Sequence, residues 1–307
     1  MVSGIIFPGT ADFAAPTESK LRVSNPFYLP YCKEVLLGVG VSHAQQKSGF
    51  DVPAQSITVG SVTVPFSAGS SESKASSVVA TAGAAVGVVD RFILGVTGRF
   101  LVDETTRTAS TGSLSSLTGS SNRSGAYAPE FAAIVRLAGM KKNSWYLDFR
   151  GNFTPGIKSS DPYRVVSSQH AVHTNMSFGR NHGAWTAGIG VSATYLFEAD
   201  NNGTRIRPYT ILWANAVLQY DFGDVFTRLR GEWFTLADAE SRNDALSRQI
   251  KTSIYLENGF HLAENFITSV SFFYQPQVSA DYNTSGIRYT QKSGSAIGVV
   301  LSFLMRF

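Results

Sequence analysis

The sequence predicts an all-β fold, a transmembrane antiparallel up-and-down β-barrel of about twelve strands, bounded between ten and fourteen. Three observations predict it. Large apolar residues recur with a period of two along segment after segment, the signature of a strand with a different solvent on each face. The spacers between those segments alternate between short and long. No apolar run approaches the ~18 residues that a membrane-spanning helix needs. The longest weakly polar run, Ser76 to Val89, is made of small residues and interrupted by Gly83 and Gly87.

The clearest alternation closes the chain. Ile297, Val299, Leu301, Phe303, Met305 and Phe307 form one large apolar face. Ala296, Gly298, Ser302 and Arg306 fall on the other, with Val300 and Leu304 between them. A strand of this pattern ending on a C-terminal Phe resembles the closing strand of bacterial outer-membrane β-barrels. The resemblance implies a bacterial outer-membrane location, outer-membrane lipid as the surroundings, and the barrel-assembly machinery as a partner that reads this strand.

Twelve segments can be drawn, at 33–46, 75–88, 92–102, 126–138, 144–156, 165–179, 184–197, 205–220, 224–236, 247–258, 265–277 and 291–307. In the fifth, Trp145, Leu147, Phe149 and Phe153 oppose Tyr146, Asp148, Arg150, Asn152 and Thr154. In the seventh, Trp185 to Phe197 counted by twos opposes Thr186, Gly188, Gly190, Ser192 and Thr194. In the ninth, Val225, Leu229 and Trp233 oppose Arg228, Arg230 and Glu232. Short spacers are Val89–Arg91, Gly139–Asn143, Arg180–Gly183, Asp221–Gly223 and Gly259–Glu264. Long ones are 47–74, 103–125, 157–164, 198–204, 237–246 and 278–290. Short turns at one end and long loops at the other put both termini on the short-turn, periplasmic side. A soluble sandwich would carry Lys and Glu along its outward faces. Here the counter-face mixes a few charges with Gly, Ser and Thr. In lipid an unpaired backbone group finds no water, so such a sheet must close.

The 307 residues therefore divide into an extended, proline-rich N-terminal periplasmic arm over 1–30 and a single transmembrane barrel over 31–307. Hydrophobic content is 43%, aromatic 12% and charged only 16%, a balance suited to strands between lipid and a crowded lumen. The net charge is +4, but the basic residues are scattered singly, which argues against nucleic acid. Residues 1–19 hold no Lys or Arg, and Gly4–Pro8 is too short for an apolar signal core, so a mature form is expected. Cys32 is the single cysteine and forms no intrachain disulfide. Its expected state is a chance or buried thiol.

With the small and polar face inward, the lumen holds Arg99, Glu130, Arg136, Asp148, Arg150, Arg228, Arg230, Glu232, Lys251, Glu257 and Arg306. Seven are basic and four acidic. Arg136 would sit beside Asp148 and Arg150, and Arg230 and Glu232 beside Lys251. Lined this way, the barrel reads as a narrow porin-like channel for small solutes with a weak preference for anions. The bland reading is a plugged lumen whose charges neutralise one another, since twelve strands lie between a filled barrel and an open porin. The strands nearest closure have small inner residues: Gly38, Gly40 and Ser42; Thr81, Gly83, Ala85 and Gly87; Gly294, Ala296 and Gly298. That low wall leaves room for a pore, for an inward-folded 47–74 loop, or for the arm.

Ala80, Ala82 and Ala84 form a small outward strip, either a subunit or lipid contact or a poorly hydrophobic lipid face. Trp145, Trp185, Trp233, Phe303 and Phe307 read as membrane-interface aromatics. An outer-membrane hydrolase would need a nucleophile beside a base. His173, Asn175 and Ser177 share a face, as His170 does not, but match neither the phospholipase nor the omptin pattern. The chain is expected to be no enzyme, with no cofactor and no metal site. Asn25-Pro26-Phe27-Tyr28-Leu29-Pro30 resembles the lead-in of a porin-like family that includes the oligomeric, lipid-trapping barrels of predatory bacteria. That resemblance implies a membrane-organising homo-oligomer that encloses lipid and conducts poorly.

Overall fold

The structure is a computed structural model and describes residues 25–26, 28–59, 62–111, 114–139, 145–157, 169–201, 204–237, 250–284 and 287–307. Twelve antiparallel strands form one closed barrel. We number them β1 (Val35–Val52), β2 (Gly69–Val89), β3 (Phe92–Thr111), β4 (Glu130–Ala138), β5 (Trp145–Thr154), β6 (Ala171–His182), β7 (Trp185–Leu196), β8 (Tyr209–Asp221), β9 (Val225–Leu236), β10 (Lys251–Ala263), β11 (Phe266–Gln275) and β12 (Ile287–Arg306). Each pairs with its neighbours in sequence, and β1 pairs with β12 from Leu36↔Arg306 to Asp51↔Thr290. The seam extends to the last residue, where the Val35 and Phe307 main chains exchange bonds of 3.1 and 2.9 Å. Closure leaves the spanning sheet no edge, which hydrocarbon requires.

The period-two pattern sets which face meets lipid. Leu37, Val39 and Val41 on β1, Phe149 and Phe153 on β5, Ile189 and Val191 on β7, and Ile297, Leu301 and Phe303 on β12 all point outward and are exposed. On β2 the apolar band runs from Val78 to Val88, about 25 Å of height at ~3.3 Å per residue and ~40° tilt. Trp145 and Trp185 open their strands at the short-turn rim, Trp233 lies toward the far end of β9, and Phe307 closes the seam; all are exposed on the outer surface. No helix among the described residues is long and apolar enough to cross a membrane. A closed barrel wearing this belt is an outer-membrane β-barrel.

Several expected loops are sheet instead. The 47–74 spacer continues β1 to Val52, forms a hairpin of Gln55–Val59 with Val62–Phe66, and re-enters as β2 at Gly69. It does not fold inward: Lys47 pairs with Lys74 and Asp51 with Ser70 along the extended ladder. In the serine-rich stretch the described residues likewise belong to strands, β3 running to Thr111 and Leu114–Ala126 pairing its outer half. Ser279–Thr284 pairs with β12, and Ala199–Asn201 with Thr204–Ile206. The reason is physical. Beyond the lipid belt both faces meet water, so apolar alternation ends while the backbone ladder continues. β10 also runs to Ala263, past Gly259, because that glycine is a close approach and not a turn: a Cβ there would enter the Phe226 ring. Expected segment or loop residues 140–144, 158–168, 238–249 and the arm up to residue 24 lie outside the described residues. Cys32 is exposed, with its thiol 3.3 Å from the Val88 carbonyl.

The low wall is filled by the end of the arm. Tyr28 packs inside against Phe226, Ile267 and Leu304, with Leu36 beside it. Leu29 packs on Ile93, flanked by Tyr31, Ala85 and Ile134. Burying a leucine this completely stabilises by about 1.5–3 kcal/mol relative to exposure. Gly87 is where the arm comes nearest the sheet. Its carbonyl accepts the Lys33 N–H at 2.8 Å, its N–H donates to the Glu34 carbonyl at 3.0 Å, and a Cβ there would collide with the Pro30 and Tyr31 carbonyl oxygens. Only a glycine-lined wall admits main chain this closely.

Candidate functional site

The lumenal face of β3–β10 carries most of the charge, because each acidic or basic residue there opposes an outward apolar one. Glu130 opens β4 and holds three partners. Arg99 on β3 donates through Nη2 to its Oε2 at 2.8 Å. Asn152 donates through Nδ2 to its Oε1 at 2.7 Å, and Arg150 Nη2 lies 3.4 Å from the same oxygen. Arg150 Nε also donates to Asn152 Oδ1 at 2.8 Å. One carboxylate therefore serves two guanidinium groups.

Nearer the short-turn end, Arg136 and Asp148 sit opposite each other in register and form a two-pronged pair of 2.8 and 3.0 Å. Both side chains are almost fully buried, and Arg136 also lies 4.7 Å over the Tyr146 ring. Charge-assisted, bidentate geometry offsets the desolvation of such a pair, and losing one partner strands the other. Arg228 bridges Gln219 at 2.9 Å and Glu257 at 2.9 Å. Arg230 pairs with Glu232 at 3.3 Å and lies 4.1 Å over the Tyr255 ring. Lys251 sits 5.8 Å over Phe234.

Arg306 belongs to a separate cluster at the mouth. Its Nη1 donates to the Tyr28 hydroxyl at 3.5 Å, and that hydroxyl donates to Glu34 Oε2 at 2.9 Å. Glu34 Oε2 also accepts the Tyr31 N–H at 2.9 Å. Burial pushes the Tyr28 phenol well above its ordinary value, against the opposing bond from Arg306, with Glu34 adding to the rise. Asn25 reaches the other side of the barrel, where its Nδ2 donates to Asn181 Oδ1 at 3.2 Å and Thr186 Oγ1 at 3.0 Å. The described end of the arm thus crosses the mouth from β1 to β6 and β7.

Above it lies a cavity of about 350 Å³, with Pro26 on its floor. Arg99, Glu130, Arg150, Arg228, Arg230 and Glu232 line it, with Asp148. All eleven expected residues turn away from lipid; seven meet at this cavity, while Arg136, Lys251, Glu257 and Arg306 lie off it. His173, Asn175 and Ser177 also line it, but His173 Nδ1 is paired with Thr194 Oγ1 at 2.8 Å. His170 is instead stacked on Phe153 at 6.0 Å and accepts the Gly156 N–H. Among the described residues no group of His, Cys, Asp or Glu could hold a metal ion. Asn152 and Thr194, which the alternation already puts on the inward polar face, line the cavity too; sequence reasoning missed Trp213 and Asn215. The signal was parity: Trp213 has the opposite phase to Leu212 and Leu218, which face lipid. Ala80 and Ala82 are exposed on the outer face and Ala84 is half-buried there.

No protein-family model matches the chain, and no match exists among curated proteins. Solved structures do match. The COG4313 outer membrane channel from Pseudomonas putida F1 is 13% identical, with 91% of this chain and 97% of that chain covered and a TM-score of 0.51. The transport unit of the autotransporter AIDA-I from Escherichia coli is 10% identical, with 88% and 90% covered and a TM-score of 0.53. At these identities the likeness concerns the fold, which is that of a bacterial outer-membrane β-barrel.

Proposed function

We propose that this protein is a narrow outer-membrane channel for small solutes, plugged at its periplasmic mouth by the arm and biased toward anions by its arginines. The cavity of about 350 Å³ carries this reading, because it holds a charged, solute-sized space inside a barrel wall. Among the eleven lumenal residues the basic ones outnumber the acidic, and a net positive lining favours anion entry. The similarly folded Pseudomonas putida protein is described as an outer membrane channel, in keeping with a transport role.

Planar-bilayer recording of the purified full chain tests the proposal. Small, stable steps with anion preference are expected. Arg230→Gln, which removes one lining cation beside Glu232, should lower that preference. Silence from well-folded, heat-modifiable protein would refute it.

A second reading is a non-conducting, lipid-enclosing homo-oligomer, as the Asn25–Pro30 resemblance implies. The one-to-one pairing of most lumenal charges and the seated arm favour it. Its contact would use the Ala80, Ala82 and Ala84 strip. An oligomer mass in mild detergent with retained lipid, reduced by Ala82→Trp, would support it over the channel.

A further inference from the structure

We infer that Glu130 sets how much positive charge the lumen presents to a solute: its one carboxylate restrains Arg99 and Arg150 together, so its loss releases two cations. The inference rests on the channel reading for what that charge does to permeation, and on the cavity wall alone for the restraint itself.

The acids of the lumen differ in how many cations each serves. Glu232 faces Arg230 at 3.3 Å and Glu257 faces Arg228 at 2.9 Å, one anion to one cation. Asp148 holds Arg136 with side chains only 1% and 0% accessible, which keeps that pair from contact with a solute. Glu130 alone among these acids serves two. Its Oε2 accepts from Arg99 Nη2 at 2.8 Å, and its Oε1 lies 3.4 Å from Arg150 Nη2. The side chains of Arg99, Glu130 and Arg150 are 24%, 16% and 13% accessible and line the cavity, so a solute can meet all three.

Asn152 fixes the arrangement. Its Nδ2 donates to Glu130 Oε1 at 2.7 Å, and its Oδ1 accepts from Arg150 Nε at 2.8 Å. Carboxylate and guanidinium are therefore bracketed by one amide, on neighbouring strands β4 and β5. Two arginines against one glutamate leave this trio a single positive charge, while the pairs of β9 and β10 cancel. Without the carboxylate the trio carries two, and both guanidinium groups lose the acceptor that orients them along the wall. Loss of Glu232 or Glu257 would free only one arginine. Glu130 is thus a positioning residue, acting on an anion in the lumen through Arg99 and Arg150.

Two measurements on the purified full chain test the inference, both at about pH 8, above the ordinary histidine range, so that His173 on the cavity wall keeps one charge state. In the first, phenylglyoxal modifies accessible arginines of the folded protein and peptide masses map the sites. Glu130→Gln should raise modification of Arg99 and Arg150 severalfold and leave Arg136 and Arg230 as in wild type; a loosened barrel would raise all four. In the second, planar bilayers under a salt gradient give the anion-to-cation permeability ratio. Glu130→Gln should raise it about threefold, the effect of one unit charge acting over a few ångströms of wet lumen. Glu130→Asp, which keeps the charge, should bring it back toward wild type. Unaltered modification of Arg99 and Arg150, a conducting barrel with an unchanged ratio in Glu130→Gln, or equal shifts in the Gln and Asp variants would each overturn the inference. A wild-type barrel silent in bilayers would defeat the channel reading, and the modification pattern would then decide by itself whether Glu130 restrains both arginines.

Discussion

The two halves of this barrel wall solve the problem of a twelve-strand lumen in opposite ways. The wall of β12, β1 and β2 has strands of 20, 18 and 21 residues and an inner face of Gly, Ala, Ser and Thr. The wall of β5 to β9 has strands of 10 to 13 residues, and its inner face carries Arg, Asp, Glu, Asn and aromatic groups on every strand but β7, whose inner face is Thr, Gly and Ser. Against the first wall, main chain fills the space: the Pro30 and Tyr31 carbonyls lie over Gly87, which exchanges main-chain bonds with Lys33 and Glu34, while the Tyr28 ring reaches from Leu36 and Leu304 across to Phe226 on β9. Against the second, long side chains hold one another off and leave the cavity. Small inner residues invite main chain, which excludes solvent. Large charged ones bind each other and keep a polar space. The same contrast explains why the arm's far contact, Asn25 to Asn181 and Thr186, is polar while its seat is apolar.

That contrast can be broken from either side. The largest effect is expected on the charged wall. Asp148→Ala leaves Arg136 buried without its carboxylate, which should cost about 3–5 kcal/mol. Urea unfolding in detergent, or a lowered temperature of heat-modifiability, reads it; a midpoint unchanged from wild type would mean the pair is solvated.

On the small-residue wall, Gly87→Val places a side chain where the Pro30 and Tyr31 carbonyls lie. Overpacking of this kind costs about 1–3 kcal/mol. The expected outcome is displacement of the arm from an intact barrel, seen as loss of amide-exchange protection at Leu29 and Tyr31. If protection there survives, the arm is not held by the low wall.

Smaller still is the latch at the mouth. Tyr28→Phe removes the hydroxyl between Arg306 and Glu34 and should weaken arm seating by about 1 kcal/mol. Its phenol is raised when seated, so its contribution to seating is full below the free value near ~10 and lost as pH rises through the seated value. Arm protection should therefore hold from neutral pH to ~9 and fall in strong alkali, and Tyr28→Phe should abolish that alkaline step. The smallest change is expected above the belt. Lys74 and Glu72 form an exposed pair, and Lys74→Ala should shift the unfolding midpoint by no more than about 0–1 kcal/mol.

Parity made much of this readable in one dimension. Trp185, Ile189 and Val191 face lipid and Thr186, Gly188 and Gly190 face inward because a strand inverts its side chains at every residue. The closing strand from Ile297 to Phe307 fixed both the belt and the place of the seam. Arg136 beside Asp148 followed from two adjacent strands of known phase. The upper parts of β1, β2 and β3 were not readable, because Ser70, Glu72, Lys74 and Thr106 meet water on both faces and lose the period that marks a strand. Trp213 lies in the opposite phase to the lipid-facing Leu212 and Leu218, so the same alternation turns it inward.

The sequence alone determined the barrel, its lipid face and the charges turned inward, because those depend on local alternation and on the need to satisfy every backbone group in hydrocarbon. Tertiary structure alone decided which of three candidates occupies the glycine-lined wall, and that Glu130 joins Arg99, Arg150 and Asn152. These are contacts between residues far apart in the chain, and they depend on strand stagger and side-chain reach, which no local period encodes.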